Sequence, residues 1–138
     1  MKTILFICSG NTCRSPMAMS IARTYPKIYS FSRGLNALDG TPISDNAKKA
    51  LELAKIQVPP HKARKLRPED VARAEVILVM TEAHYTDMKL IYPEAADKTF
   101  KLDPLGDVKD PFGDELEPYI NCLKEIQDLV AFWVKSQK

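Results

Sequence analysis

The chain has 138 residues, 45% of them hydrophobic, enough for one domain over 1–138 with a sizeable buried core. Its formal net charge is +2, with Lys and Arg scattered among acids and no basic run interleaved with aromatics, which speaks against a nucleic-acid partner. Three cysteines make no disulfide framework, and the apolar run behind Met1 is too short for a secretory or membrane-spanning segment, so the expectation is a cytoplasmic monomer without a membrane partner.

In chain order, residues 3–8 (Thr-Ile-Leu-Phe-Ile-Cys) read as a buried strand, followed by the loop Cys8-Ser9-Gly10-Asn11-Thr12-Cys13-Arg14-Ser15-Pro16 and a helix over about 15–25. A strand at about 28–33 precedes a helix at about 44–56, with Ala47, Leu51, Leu53 and Ala54 on or near its buried side. Pro59, Pro60 and Pro68 punctuate a connector at 57–68, and Glu69 to Ala74 forms a short helical turn before a strand at 75–80. Thr81 can cap a helix running to about Tyr92, and Thr99 to Leu102 gives a fourth strand. After a Pro/Gly/Asp-rich loop at 103–118, the last helix carries Ile120, Leu123, Ile126, Val130, Trp133 and Val134 at helical spacing, the pattern of a core stripe. This alternation predicts an α/β fold: a parallel sheet with helices on both faces, right-handed crossovers, and a site at the carboxyl ends of the strands.

The loop after the first strand lies at such an end. Its backbone N–H groups converge inward, and the helix behind it presents roughly half a positive charge at its N-terminus, so anions settle there. Gly10 is expected to supply the backbone angle that lets Ser9, Gly10, Asn11, Thr12 and Cys13 turn their amides toward one oxyanion. Arg14 adds a planar fork for two phosphate oxygens and for the charge of a transferring phosphoryl group. The field that attracts phosphate also stabilises a thiolate, which makes Cys8 a nucleophile. Ser15 is placed to hydrogen-bond that sulfur and to act as helix N-cap, with Pro16 at the first helical position. Asn11 is expected to scaffold the loop through side-chain to backbone bonds. Neither Gly-x-x-x-x-Gly-Lys-Ser/Thr nor Gly-x-Gly-x-x-Gly occurs, so the usual nucleotide-binding loops are excluded.

Cleaving a phosphate ester with a thiolate also needs an acid for the departing atom, which then serves as base toward water. Two candidates occur, Asp103-Pro104-Leu105-Gly106 and Asp110-Pro111-Phe112-Gly113, and each is equally readable as a turn with Asp at its first position. Asp107 and Asp114 read as residues that solvate this loop. With only His61 and His84 and no ligand cluster, no metal or other cofactor is expected, and each histidine reads as a surface or structural residue. Cys13 is either a small buried residue or a redox partner that traps an oxidised Cys8 as a disulfide, and Cys122 reads as packing.

The loop closely resembles the phosphate-binding loop of the low-molecular-weight protein tyrosine phosphatases and of their relatives, the bacterial protein arginine phosphatases. Nearly the whole chain takes part. Ser32-Arg33-Gly34 resembles the family's Ser-Ala-Gly, His61-Lys62-Ala63-Arg64 its His-x-Ala-Arg, Val76 to Thr81 its next strand, and Asp110-Pro111-Phe112-Gly113 its acid loop. Arg33 in place of a small residue and Met19 in place of an acidic one are departures. The resemblance implies the phosphotyrosine protein phosphatase I-like fold, a three-layer sandwich around four parallel strands. It also implies a phosphorylated protein as substrate and inorganic phosphate as product. It selects Asp110 as the acid over Asp103, with Phe112 as one wall of the substrate slot. Thr12, where tyrosine-specific members usually carry an aliphatic residue, looks like the arginine-phosphatase loop, so both phosphoarginine and phosphotyrosine are carried forward. An arsenate reductase, or a module that binds phosphate or a phosphoprotein without turnover, stand as alternatives.

Overall fold

The structure is a computed structural model and describes residues 1–111 and 113–136. Four strands, β1 (Lys2–Cys8), β2 (Ile28–Gly34), β3 (Val76–Val79) and β4 (Thr99–Lys101), form one sheet in the order β2-β1-β3-β4. All three pairings are parallel, with Ile4 opposite Ser30 on one side and Val76 on the other. Parallel strands need crossovers, and α1 (Arg14–Ala22), α2 (Asp45–Leu53), α3 (Pro68–Arg73) and α4 (Glu82–Ile91) lie in them, while α5 (Glu117–Ser136) follows the last strand. A 3₁₀ segment at Pro93–Lys98, unforeseen in the sequence, leads into β4.

The side-chain period of two divides the core into two halves. Ile4, Phe6 and Cys8 of β1 pack with Met17, Ala18 and Ile21 of α1, Leu51 of α2 and Leu123, Ile126 and Val130 of α5. Leu5 and Ile7 face the other way, onto Val71 of α3 and Met88 of α4. Because β1 is buried on both faces, its sequence is a continuous apolar run rather than an alternation. Every residue of α1 is buried, Arg14, Ser15 and Ser20 included, since the helix lies between the sheet and α5. On α2 the buried residues are Ala47, Ala50 and Leu51. Leu53 and Ala54 are exposed, against expectation, because α2 ends at Leu53 and Lys55 turns the chain away with φ 60°.

Gly34 ends β2 where the connector returns. Its N–H donates to Arg64 O at 3.0 Å and its carbonyl accepts from Leu66 N at 2.9 Å, so the connector covers this end of the sheet edge. A Cβ on Gly34 would lie 2.6 Å from Ser9 O and 3.0 Å from Asn11 N, so only glycine lets β2 lie this close to the loop after β1. Among the described residues no helix is long and apolar enough to cross a membrane.

Candidate active site

Cys8, Ser9, Gly10, Asn11, Thr12, Cys13, Arg14 and Ser15 form one bowl at the carboxyl end of β1, as expected for a site on a parallel sheet. The Cys8 Sγ lies 2.8 Å from Ser15 Oγ and accepts the Asn11 N–H at 3.3 Å. Asn11 Nδ2 donates to Ser15 Oγ at 2.9 Å, which leaves the Ser15 hydroxyl proton free to point at the sulfur.

The left-handed residue of the loop is Asn11, with φ 57°, and not Gly10. Asn is one of the few side chains that visits this region, because its short amide can bond nearby groups in compensation. Here that compensation is complete. Nδ2 also donates to Ser32 Oγ at 3.0 Å, Oδ1 accepts the Arg64 N–H at 3.0 Å, and the Asn11 carbonyl pairs with His61 Nε2 at 2.8 Å. Asn11 is fully buried, so an unmet polar atom there would carry its whole desolvation cost. The scaffold role therefore stands, although its bonds reach other side chains as well as backbone. A Cβ on Gly10 would make only an ordinary van der Waals contact, with Thr12 Oγ1 at 3.7 Å.

Ser15 is not the helix cap. Helix α1 begins at Arg14 with Cys13 as N-cap, and the Cys13 side chain makes no capping bond. Pro16 therefore falls third in the helix, still in the first turn, where a missing N–H costs no intrahelical bond. Ser15 is instead engaged with Cys8 and Asn11. The Thr12 carbonyl accepts the Ser44 N–H at 2.9 Å and ties the loop to the start of α2.

Arg14 is 6% exposed, and its Nη1 donates to Val108 O at 2.9 Å. Val108 in turn donates its N–H to Met80 O at 2.8 Å, so the loop after β4 is stitched to the end of β3 and to the guanidinium. That path brings Asp110 Oδ1 to 3.9 Å from Arg14 Nε. Asp103 instead accepts the Leu105 N–H at 3.0 Å, the turn role that one reading of its motif gave it. Asp107 does more than solvate the loop: it accepts the Glu82 N–H at 2.9 Å and the Lys101 ammonium at 3.1 Å, and these bonds hold its carboxyl below the usual range. Phe112, the expected wall of the slot, lies outside the described residues.

His84 is a wall of the bowl and not a surface residue. It is 6% exposed, and its Nε2 lies 2.8 Å from Ser9 Oγ. Burial, reinforced by the Arg14 charge, lowers its pKa to about 4, so the ring is neutral at pH 7. Burial also lowers His61 below the ordinary imidazole value, against the opposing pull of its Asn11 carbonyl partner. Both histidines are structural. Their roles were hidden in the sequence because each partner is 50 or more positions away.

The two departures have partners. Met19 Sδ accepts the Ser32 hydroxyl at 3.6 Å, and Arg33 turns outward to Asp70 at 3.0 Å and its own neighbour's carbonyl, Ser32 O, at 2.7 Å. All three cysteines are free thiols. Burial raises Cys13 far above the ordinary thiol range, and Cys122 is pushed up to about 12 by the same cause. Among the described residues no three His, Cys, Asp or Glu side chains are grouped to hold a metal ion.

Residues 3–138 match the family model described as low molecular weight phosphotyrosine protein phosphatase. The chain is 37% identical over 134 residues to a protein-arginine-phosphatase of Geobacillus stearothermophilus, spanning 92% of this chain and 90% of that protein. It is 39% identical over 133 residues to the low molecular weight protein-tyrosine-phosphatase PtpB of Staphylococcus epidermidis, spanning 92% of this chain and 93% of that one. Among solved structures, the YwlE arginine phosphatase from Geobacillus stearothermophilus superposes with a TM-score of 0.93 at 34% identity, covering 99% of this chain and 93% of that chain. A low molecular weight protein tyrosine phosphatase from T. tengcongensis gives the same TM-score of 0.93 at 35% identity, covering 99% of each chain.

Proposed function

Because the chain belongs to the low molecular weight phosphotyrosine protein phosphatase family and is a protein phosphatase, we propose that Cys8, Arg14 and Asp110 carry its chemistry, with phosphoarginine as the preferred side chain and phosphotyrosine as a second substrate. One observation carries the assignment: a single bowl holds the Cys8 sulfur among the Ser15 hydroxyl and the Asn11 amide, with the Asp110 carboxyl 3.9 Å from the Arg14 guanidinium at its rim.

The Cys8 thiolate attacks phosphorus in line, and a P–S bond forms as the bond to the leaving nitrogen or oxygen breaks. Arg14 and the amides of Ser9 to Cys13 hold the equatorial oxygens, while Asp110 gives its proton to the leaving atom. Asp110, now a carboxylate, takes a proton from water, whose oxygen attacks phosphorus and expels Cys8 as thiolate with release of inorganic phosphate. The scheme uses no cofactor. The Ser15 hydroxyl stabilises the departing thiolate, and the tether from Arg14 to Val108 keeps the acid loop over the bowl.

The preference for phosphoarginine rests on Thr12, whose hydroxyl narrows and polarises the bowl, and on the likeness to a protein-arginine-phosphatase. The similar likeness to a protein-tyrosine-phosphatase supports the second substrate. The arsenate-reductase and binding-only readings are not favoured, since the relatives are phosphatases. For Cys13, its place in the buried core supports the packing role, with the redox role kept as the second reading. A monomer in the cytoplasm, acting as one domain over 1–138, completes the proposal.

Phosphate release from phosphoarginine and phosphotyrosine peptides tests it. Cys8→Ser abolishes turnover, and Asp110→Asn lowers kcat by about 10²–10⁴-fold, whereas Asp103→Asn stays within a few-fold of the parent. Loss with Asp103→Asn and retention with Asp110→Asn would overturn the acid assignment. Thr12→Ile shifts the ratio toward phosphotyrosine, and an unchanged ratio removes Thr12 from substrate choice.

A further inference from the structure

The catalytic reading uses one arginine, yet the chain gathers more positive charge elsewhere. On the far side of the Asn11 anchor, a cavity of about 500 Å³ opens along the free edge of β2. Arg23 of the α1 C-cap, Arg33 of β2, Lys62 and Arg64 of the connector and Arg73 of α3 line it, with His61 beside them. These five cationic groups converge from four separate segments of the chain, so no local charge run in the sequence announces them.

Their charges are poorly compensated. Asp70 pairs with Arg33 at 3.0 Å. Arg23 directs Nε and Nη2 to the Ser30 carbonyl, a neutral acceptor, at 3.2 and 3.1 Å. Among the described residues Lys62, Arg64 and Arg73 have no carboxylate within 4.0 Å. Like charges around one concavity repel, and the field between them adds rather than cancels. The guanidiniums are also braced: Arg73 lies 3.9 Å and Arg33 5.1 Å from the centre of the Phe31 ring, and Arg23 lies 5.8 Å from that of Tyr29. Braced arginine forks lose little freedom when they close on an oxyanion, and their geometry matches phosphate two oxygens at a time.

We propose that this cavity is a second, non-catalytic anion site, built for a small molecule carrying a chain of phosphates. Its volume falls in the range of small-molecule sites, and an excess of four positive charges, five cations less the Asp70 carboxylate, matches an oligophosphate better than a single phosphate. The charges ring one concavity instead of forming a stripe, which suits a compact ligand and not a nucleic-acid backbone. Inorganic oligophosphates and nucleoside triphosphates share this chemistry.

Titrating the ¹⁵N-labelled full chain with inorganic tripolyphosphate tests the site, because amide shifts report the cavity and the catalytic loop separately. The amides of Arg23, Lys62 and Arg73 are expected to move along one saturable curve. In a Lys62→Glu/Arg73→Glu variant that curve weakens by about tenfold or more, a change of the size expected from removing two charge-assisted contacts, while turnover of p-nitrophenyl phosphate without tripolyphosphate stays within twofold. Lys48→Glu/Lys49→Glu on α2 makes the same change in net charge away from the cavity and keeps the parental affinity. Cavity amides that do not move, or equal weakening in the two variants, would overturn the proposal. Repeating the titration with ATP identifies the source: equal affinity marks the phosphate chain as the whole recognised group, and tighter binding adds the nucleoside.

Discussion

Asn11 and His84 show how single side chains hold the bowl open. Asn11 accepts a left-handed backbone, and its side chain and carbonyl receive four hydrogen-bonding partners in return, from three different segments. His84 sits behind Ser9 with its Nε2 bonded and its buried Nδ1 without a partner among the described residues. A protonated ring there would face Arg14 without solvent, which is why the folded state keeps it neutral. The consequence for stability has a definite sign. Its pKa is about 4 in the folded chain against an ordinary 6.5, so between these values the unfolded chain binds a proton that the folded chain refuses. Stability from this residue is fully present above about pH 6.5 and is lost as the pH falls toward 4. Urea midpoints of the parent and of His84→Gln, followed from pH 7.5 to 4, are expected to converge on acidification, and a constant difference would remove His84 from the pH response.

Helix α2 gives the clearest contrast within one element. Ser44 caps it, accepting the Ala47 N–H at 3.2 Å, and Ala47, Ala50 and Leu51 make up its buried face. Leu51 is 0% exposed and Leu53 is 64% exposed, although they lie two positions apart. The helical period of 3.6 separates positions two apart by about 200°, so the two cannot share a face. Leu51→Ala is therefore expected to cost about 2–5 kcal/mol in urea unfolding, and Leu53→Ala about 0.5 kcal/mol or less. Comparable losses for both would show that α2 packs in a different rotation. The start of α1 teaches a complementary lesson: Ser-Pro has the look of a cap and first helical residue, but the sulfur and the Asn11 amide claim the Ser15 hydroxyl for the site.

Across the whole molecule, two apolar halves share one sheet, and β1, β2 and β3 each contribute side chains to both. The loop that carries Asp110 is bound at two points ahead of that residue: Val108 to Met80 near the bowl, and the Leu102 carbonyl to Trp133 Nε1 of α5 at 2.9 Å. Neither half can lose its packing while the sheet keeps its shape, which favours a single cooperative transition. Trp133 is the one tryptophan of the sequence and reports the α5 side, whereas far-UV circular dichroism reports helices on both faces. The two signals are expected to give coincident urea curves, and separated midpoints would mean that the halves unfold independently.

The sequence by itself determined the order of strands and helices and the bowl after β1, and it singled out Cys8 and Arg14 as candidate residues, because each is written locally: an apolar run, a polar loop, a helix start. Residue spacing left Asp103 and Asp110 equivalent, and only the resemblance to a known family separated them. Tertiary structure decided what depends on distant partners. It set Asp110 beside Arg14, gave Asn11 the strained backbone expected of Gly10, drew His61 and His84 into the support of the loop, and gathered five cations around one cavity. The physical reason is that periodicity and turn chemistry act over a few residues, whereas hydrogen bonds and fields act through space, between segments that only the folded sheet brings together.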